Sequence, residues 1–129
     1  MYKRQGNDAI ILRYADVLLM HAEAILAGRP ETSDGAAIAS VMAVRERAGI
    51  TDRLTSITQA NLLAERRVEL AFENQRFYDL LRFGVADAVL SAHAVEMGYT
   101  SYDARKLFLP IPAREINLSR GMLTQNPGY

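Results

Sequence analysis

The sequence predicts an all-α protein: a tetratricopeptide-like helical hairpin plus further packed helices, closed by an extended, proline-containing C-terminal tail. Two observations predict it. Apolar residues recur at helical spacing in successive segments that end at Gly28, Gly49, Gly84 and Gly98. After Gly98 that periodicity gives way to a polar, aromatic loop and then to Leu107-Phe108-Leu109-Pro110-Ile111-Pro112, where two prolines forbid helix.

The first helix is expected over Ile10–Ala27, where apolar residues nearly encircle the axis, implying burial on most sides; Gly28 and Pro30 supply the stop. Ser33 or Asp34 caps a second helix, whose stripe Ile38, Val41, Met42, Arg45 follows the i, i+3, i+4, i+7 rule up to Gly49-Ile50. The short link makes the two an antiparallel hairpin. Small residues Ala22, Ala36, Ala37 and Ala39 suit close approach, and the pair has the dimensions of one tetratricopeptide unit, although no second copy of that repeat is seen.

Thr55 to Thr58 reads as the capped start of a third helix running from about Gln59 through Glu73. It continues to Gly84, with a bend near Asn74. Val85–Met97 is an alanine-rich helix closed by Gly98. The extended proline segment is expected to lie across the helices. Pro112 then opens a short turn through Glu115, and Asn126-Pro127-Gly128 has the Pro-then-Gly order of a type II turn.

With 129 residues, half of them apolar, the chain is read as a single domain, 1–129. Fifteen basic residues balance fifteen acidic ones. Both halves balance too, so the basic footprint of a nucleic-acid binder is missing. All the basic residues but Lys3 and Lys106 are arginine, which favours fixed, hydrogen-bonded partners. Without cysteine there is no disulfide, thiolate catalysis or thiolate metal site. No apolar stretch approaches the roughly 18–20 residues of a membrane span, and the first residues do not work as a signal peptide.

The most informative pattern is the charge order Arg66, Glu69, Glu73, Arg76, Asp79, Arg82, which steps by three or four along one helical track. Flanking Leu70, Phe72, Phe77, Leu80 and Leu81 favour partial burial, so Arg76→Ala is expected to cost more than ~2 kcal/mol by stranding a buried partner. A competing reading makes Glu65, Glu69 and Glu73 catalytic or metal-binding carboxylates. The Glu-x-x-His pairs of a di-iron bundle are absent, and His21 and His93 each lack a second ligand at metal spacing. No metal and no cofactor is therefore expected. No G-x-S-x-G, H-E-x-x-H, P-loop or G-x-G-x-x-G occurs, which argues against an enzyme. Tyr99, Tyr102, Asp103 and Arg105 are the candidate ligand-binding residues, offering a sugar flat apolar faces beside hydrogen-bonding groups. The bland alternative is that the tyrosines anchor a loop.

Three blocks resemble the C-terminal region of the SusD/RagB family: ILRYADVLLMHAEA at 11–24, ERRVELAFENQRFYDLLRFG at 65–84, and LFLPIPAREINLS with QNPGY within 107–129. The resemblance implies a mainly helical, lipid-anchored protein on the outer face of an outer membrane. It would be a non-catalytic component that captures glycans or similar nutrients for a SusC-like TonB-dependent transporter. It also implies that most helical repeats, the lipidated cysteine and the principal ligand-binding aromatics lie upstream of this stretch. Faces that lose their cover would then predict self-association of this chain.

Overall fold

The computed structural model describes residues 11–99 and 102–129. The N-terminal reading, including Lys3 and Ile10, and residues 100–101 of the aromatic loop lie outside the described residues. Among the described residues six helices follow in order: α1 Tyr14–Leu26, α2 Gly35–Arg47, α3 Gln59–Glu69, α4 Arg76–Arg82, α5 Ala86–Glu96 and α6 Ala113–Leu118. A 3-10 turn, Ala104–Leu107, precedes α6. Two short strands, β1 Glu31–Thr32 and β2 Ile57–Thr58, pair antiparallel. The contacts group the chain into two compact units, Met1–Asp79 and Leu80–Tyr129.

In the first unit α1 packs on α2 and α3. Its buried face is Ala15, Asp16, Leu19, Ala22 and Leu26, the i, i+4, i+7 pattern of a one-sided helix. Burial on most sides is thus corrected: Tyr14, Val17 and Met20 stand on the uncovered side and are exposed. The helix also begins at Tyr14, because Arg13 is extended (φ −140°, ψ 163°) and has its side chain tied elsewhere. Asp34 is the cap of α2, its Oδ1 accepting from the backbone N–H of Ala36 at 2.8 Å and of Ala37 at 3.3 Å. Of the four small residues, Ala22 and Ala37 are buried while Ala36 and Ala39 are exposed.

The strand pair has no counterpart in the sequence reading. Thr32 faces Ile57 and Glu31 faces Thr58, which clips the link after α1 to the residues entering α3. Gln59 extends the clip: its backbone N–H donates to the carbonyl of Pro30 and its side-chain amide to that of Gly28. Thr58 then caps α3 in a reciprocal box with Asn61.

The third helix ends at Glu69, four residues before the expected limit. Phe72 (φ 66°) and Asn74 (φ 59°) adopt left-handed backbone, and a bulky residue rarely does so. The expected bend is therefore a full break, with α4 starting afresh at Arg76. At the other end of α4, Gly84 (φ 70°) donates its N–H to Leu81, and Val85 donates to Leu80, the paired bonds of a Schellman stop.

In the second unit α5 stops by the same device, with Gly98 bonded to Val95 and Tyr99 to Ala94. The Pro-containing strap is extended, as Pro110 and Pro112 require. Among the described residues, the side-chain hydrogen bonds that hold it come from the tail. Between the prolines Ile111 keeps an N–H, and it donates to Oε1 of Gln125 at 2.8 Å; Gln125 Nε2 donates back to the Ile111 carbonyl at 2.9 Å. Asn126 Nδ2 adds a bond to the Leu109 carbonyl at 2.7 Å. Side-chain amides thus replace a neighbouring strand. Tyr129 N–H donates to the Asn126 carbonyl, and Gly128 (φ 93°) occupies the third position of that turn, as the Pro-Gly order predicts.

Candidate functional site

The charged residues of α1, α3 and α4 converge in the first unit, and they are arranged by burial. Arg66 sits at the centre with only 2 % of its surface exposed. Its Nε donates to Oδ2 of Asp79 at 3.0 Å, across the break between α3 and α4. Its Nη1 lies 2.9 Å from Oδ1 of Asp16 on α1, at ion-pair distance but without the alignment of a hydrogen bond. Burial pulls the Arg66 guanidinium toward neutrality. The hydrogen bond and charge of Asp79, with the nearby charge of Asp16, outweigh it, so its pKa lies above the ordinary value.

A second cluster surrounds Arg13. Its Nε donates to both carboxylate oxygens of Glu73, at 2.9 and 3.0 Å, and its terminal nitrogens reach the Glu69 carboxylate and backbone carbonyl. The bonds to Glu73 and then Glu69 raise its pKa. Arg47 also binds Glu69, at 2.8 Å, and Arg45 binds Glu65 at 2.9 Å. Glu65, Glu69 and Glu73 each face a guanidinium.

The residues of the predicted charge track therefore separate. Arg66 and Asp79 meet directly, while Glu69 and Glu73 turn to Arg13. Arg76 has no ion pair among the described residues; burial, and then the like charge of Arg67, lower its pKa. Arg82 is exposed, its guanidinium 5.5 Å from the Phe83 ring centre. A straight helix would have stepped these charges along one face, and the positive φ at Phe72 and Asn74 removes that geometry. Sequence reasoning missed Arg13, Asp16, Arg45 and Arg47 as partners. One signal was available: Asp16 falls among the apolar residues of the first helix, and a buried carboxylate requires a cation.

The four candidate ligand residues stand in the second unit. Asp103 caps the 3-10 turn by accepting from the Arg105 N–H at 3.0 Å, and its other oxygen accepts from Arg105 Nε at 2.7 Å. Bonding to Arg105 holds the Asp103 carboxyl below its usual range and raises Arg105 in return. Arg105 Nη1 also donates to the Gly128 carbonyl at 2.6 Å, and its guanidinium lies 5.9 Å from the Tyr129 ring centre. Tyr102 is half-buried, and burial followed by the charges of Asp87 and Asp103 raises its hydroxyl pKa. Tyr99 is exposed.

Comparison with known proteins interprets this geometry. The SusD family model matches residues 1–129. The chain belongs to the SusD family. It is 33% identical to SusD-like protein P2 of Formosa agariphila, across 98% of this chain and 27% of that protein. It is 30% identical to the starch-binding protein SusD of Bacteroides thetaiotaomicron, across 95% of this chain and 22% of that protein. Among solved structures it resembles surface glycan-binding protein A from Bacteroides thetaiotaomicron (TM-score 0.73, 36% identity, 94% of this chain and 25% of that one). It also resembles a laminarin-binding SusD-like protein (TM-score 0.71, 37% identity, 92% of this chain and 23% of that one). The chain spans about a quarter of the length of these relatives. Three of these proteins carry names that describe glycan, starch or laminarin binding.

The blocks that carry the family resemblance are the same residues that form the contacts above. Arg13 and Asp16 of the RYAD block pair with Glu73, Glu69 and Arg66 of the ERRVELAFE block. The QNPGY block holds the LPIP block.

Proposed function

We propose that this chain is the structural C-terminal part of a non-catalytic glycan-binding protein, one that captures its ligand at the outer face of an outer membrane for a SusC-like TonB-dependent transporter. The observation that carries the reading is the match to the SusD family along residues 1–129, a family with relatives named for binding starch and laminarin. Two features support a scaffold role for this part. Arg13, Asp16, Arg66, Glu69, Glu73 and Asp79 of the motif blocks are engaged with one another, and Arg105, bonded to Asp103, is engaged with the tail turn. Of the four candidate ligand residues, Tyr99 keeps a ring open to solvent on which a sugar could stack.

The test is a glycan array probed with the protein at the length its gene encodes, alongside co-purification with the products of neighbouring genes. Glycan retention with recovery of a TonB-dependent transporter is the expected result. Absence of both, or hydrolysis of the retained glycan, would sink the proposal.

A second reading, a helical protein-interaction module, is favoured by the uncovered side of α1, where Tyr14, Val17 and Met20 are exposed in a row. It predicts self-association of this chain. Light scattering that gives a monomer at all concentrations, with no binding of an apolar dye, would dismiss it.

A further inference from the structure

The break between α3 and α4 forms a solvent-open cavity of about 320 Å3, lined by Arg66, Arg67, Leu70, Ala71, Phe72, Asn74, Gln75 and Arg76. Its lining contains three guanidiniums and no carboxylate. Arg66 is neutralised by Asp79 and Asp16, whereas Arg67 and Arg76 form no ion pair among the described residues. Nη1 of Arg76 is shut off from solvent without a hydrogen-bond acceptor, an arrangement that leaves its desolvation uncompensated. Two like charges facing one apolar-walled space repel each other, and a single anion between them would reverse the sign of that interaction.

The walls define what kind of anion fits. Leu70, Ala71 and Phe72 supply apolar lining, and the amide residues Asn74 and Gln75 complete it. Phe72 is fully exposed while held at φ 66°, so neither burial nor relaxed backbone rewards its position in the chain alone. A bare inorganic ion would use the cations and waste the apolar wall. A carboxylate on an apolar carrier uses both.

We propose that the α3–α4 cavity is a binding site for an organic carboxylate, with Arg67 and Arg76 as its cationic contacts and Leu70 and Phe72 as the wall for the carrier. The site goes beyond the glycan-binding reading and does not depend on it. Two sources offer this chemistry, a free small acid and the acidic side chain of a polypeptide segment.

Arginine Nε–Hε resonances of the chain, followed by NMR during titration at constant ionic strength, distinguish them. The probes are phenylacetate, the blocked dipeptide acetyl-Phe-Glu-amide, and chloride. Saturable shifts at Arg67 and Arg76 are expected with a carboxylate probe and not with chloride. Tighter binding of the dipeptide identifies a polypeptide side chain as the source, and tighter or equal binding of phenylacetate identifies a free acid. Arg76→Gln should weaken the response roughly tenfold, the scale of one lost charge-assisted contact. Exposed Arg67→Gln should do the same without risk to folding, while Arg114→Gln should leave it unchanged. Equal shifts with chloride and carboxylate, or a response that survives Arg67→Gln at full strength, would overturn the proposal.

Discussion

Arg66 Nε and Asp79 Oδ2 lie 3.0 Å apart with both side chains buried, so one ion pair spans the break that separates α3 from α4. Asp16 approaches the same guanidinium from α1. A buried cation facing two carboxylates is costly to dismantle, because each partner left behind is charged and out of water.

Arg66→Ala is therefore expected to remove about 3–5 kcal/mol of unfolding free energy, or to abolish folding, in urea denaturation of the chain. Arg67→Ala, one residue along and exposed, should stay within about 0.5 kcal/mol. Equal losses at both positions would mean that burial does not set the difference.

Arg76→Ala should cost less than about 1 kcal/mol. The regular spacing of charges suggested a buried pair at this position, but Arg76 has no carboxylate within ion-pair reach among the described residues, and burial lowers its pKa. Removing a half-buried cation without a partner forfeits packing and relieves desolvation, effects of opposite sign. Denaturation midpoints for Arg76→Ala and Arg66→Ala, measured side by side, check the order.

Helix identity and capping were legible in the sequence because they depend on neighbours. Asp34 and Thr58 lie directly before their helices, and Gly84 and Gly98 lie two residues beyond the ends of theirs. Partner choice was not legible, since Arg13 meets Glu73 sixty residues away and only the fold brings them together. The break after Leu70 was half-legible. Asn74 tolerates positive φ and signals a bend, whereas Phe72 does not advertise the same conformation. The β1–β2 clip escaped notice because two-residue strands carry no periodicity.

Gln125→Ala should free both backbone groups of Ile111 at once. With the prolines on either side unable to donate, no backbone bond takes their place. The Ile111 amide is expected to exchange at least tenfold faster, the scale of about 1.4 kcal/mol of lost protection. Unchanged exchange would show that the strap is held by something other than the tail.

The tail turn should respond to a single methyl group and to acid. A Cβ on Gly128 would overlap the Cδ of Arg105, and φ 93° already disfavours any other residue, so Gly128→Ala should detach the turn from Arg105. Loss of the Arg105–Tyr129 contact in NOE spectra would record it. For pH, the Asp103 carboxyl is depressed by its bonds to Arg105. A depressed carboxyl stabilises fully above its unfolded pKa of about 3.9 and loses that contribution as pH falls through the folded value. Tyr129 ring shifts should thus be constant from neutral pH down to about pH 5 and change only in stronger acid.

The claim that the SusD-family blocks of this chain form a scaffold is tested most directly by a double-mutant cycle on Asp16 and Arg66, which join the RYAD block to the ERRVELAFE block. Urea unfolding of the chain, of Asp16→Ala, of Arg66→Ala and of the double variant yields their coupling free energy. Structural pairing predicts a coupling of at least about 2 kcal/mol. A coupling below about 0.5 kcal/mol, with the two single losses simply adding, would contradict it.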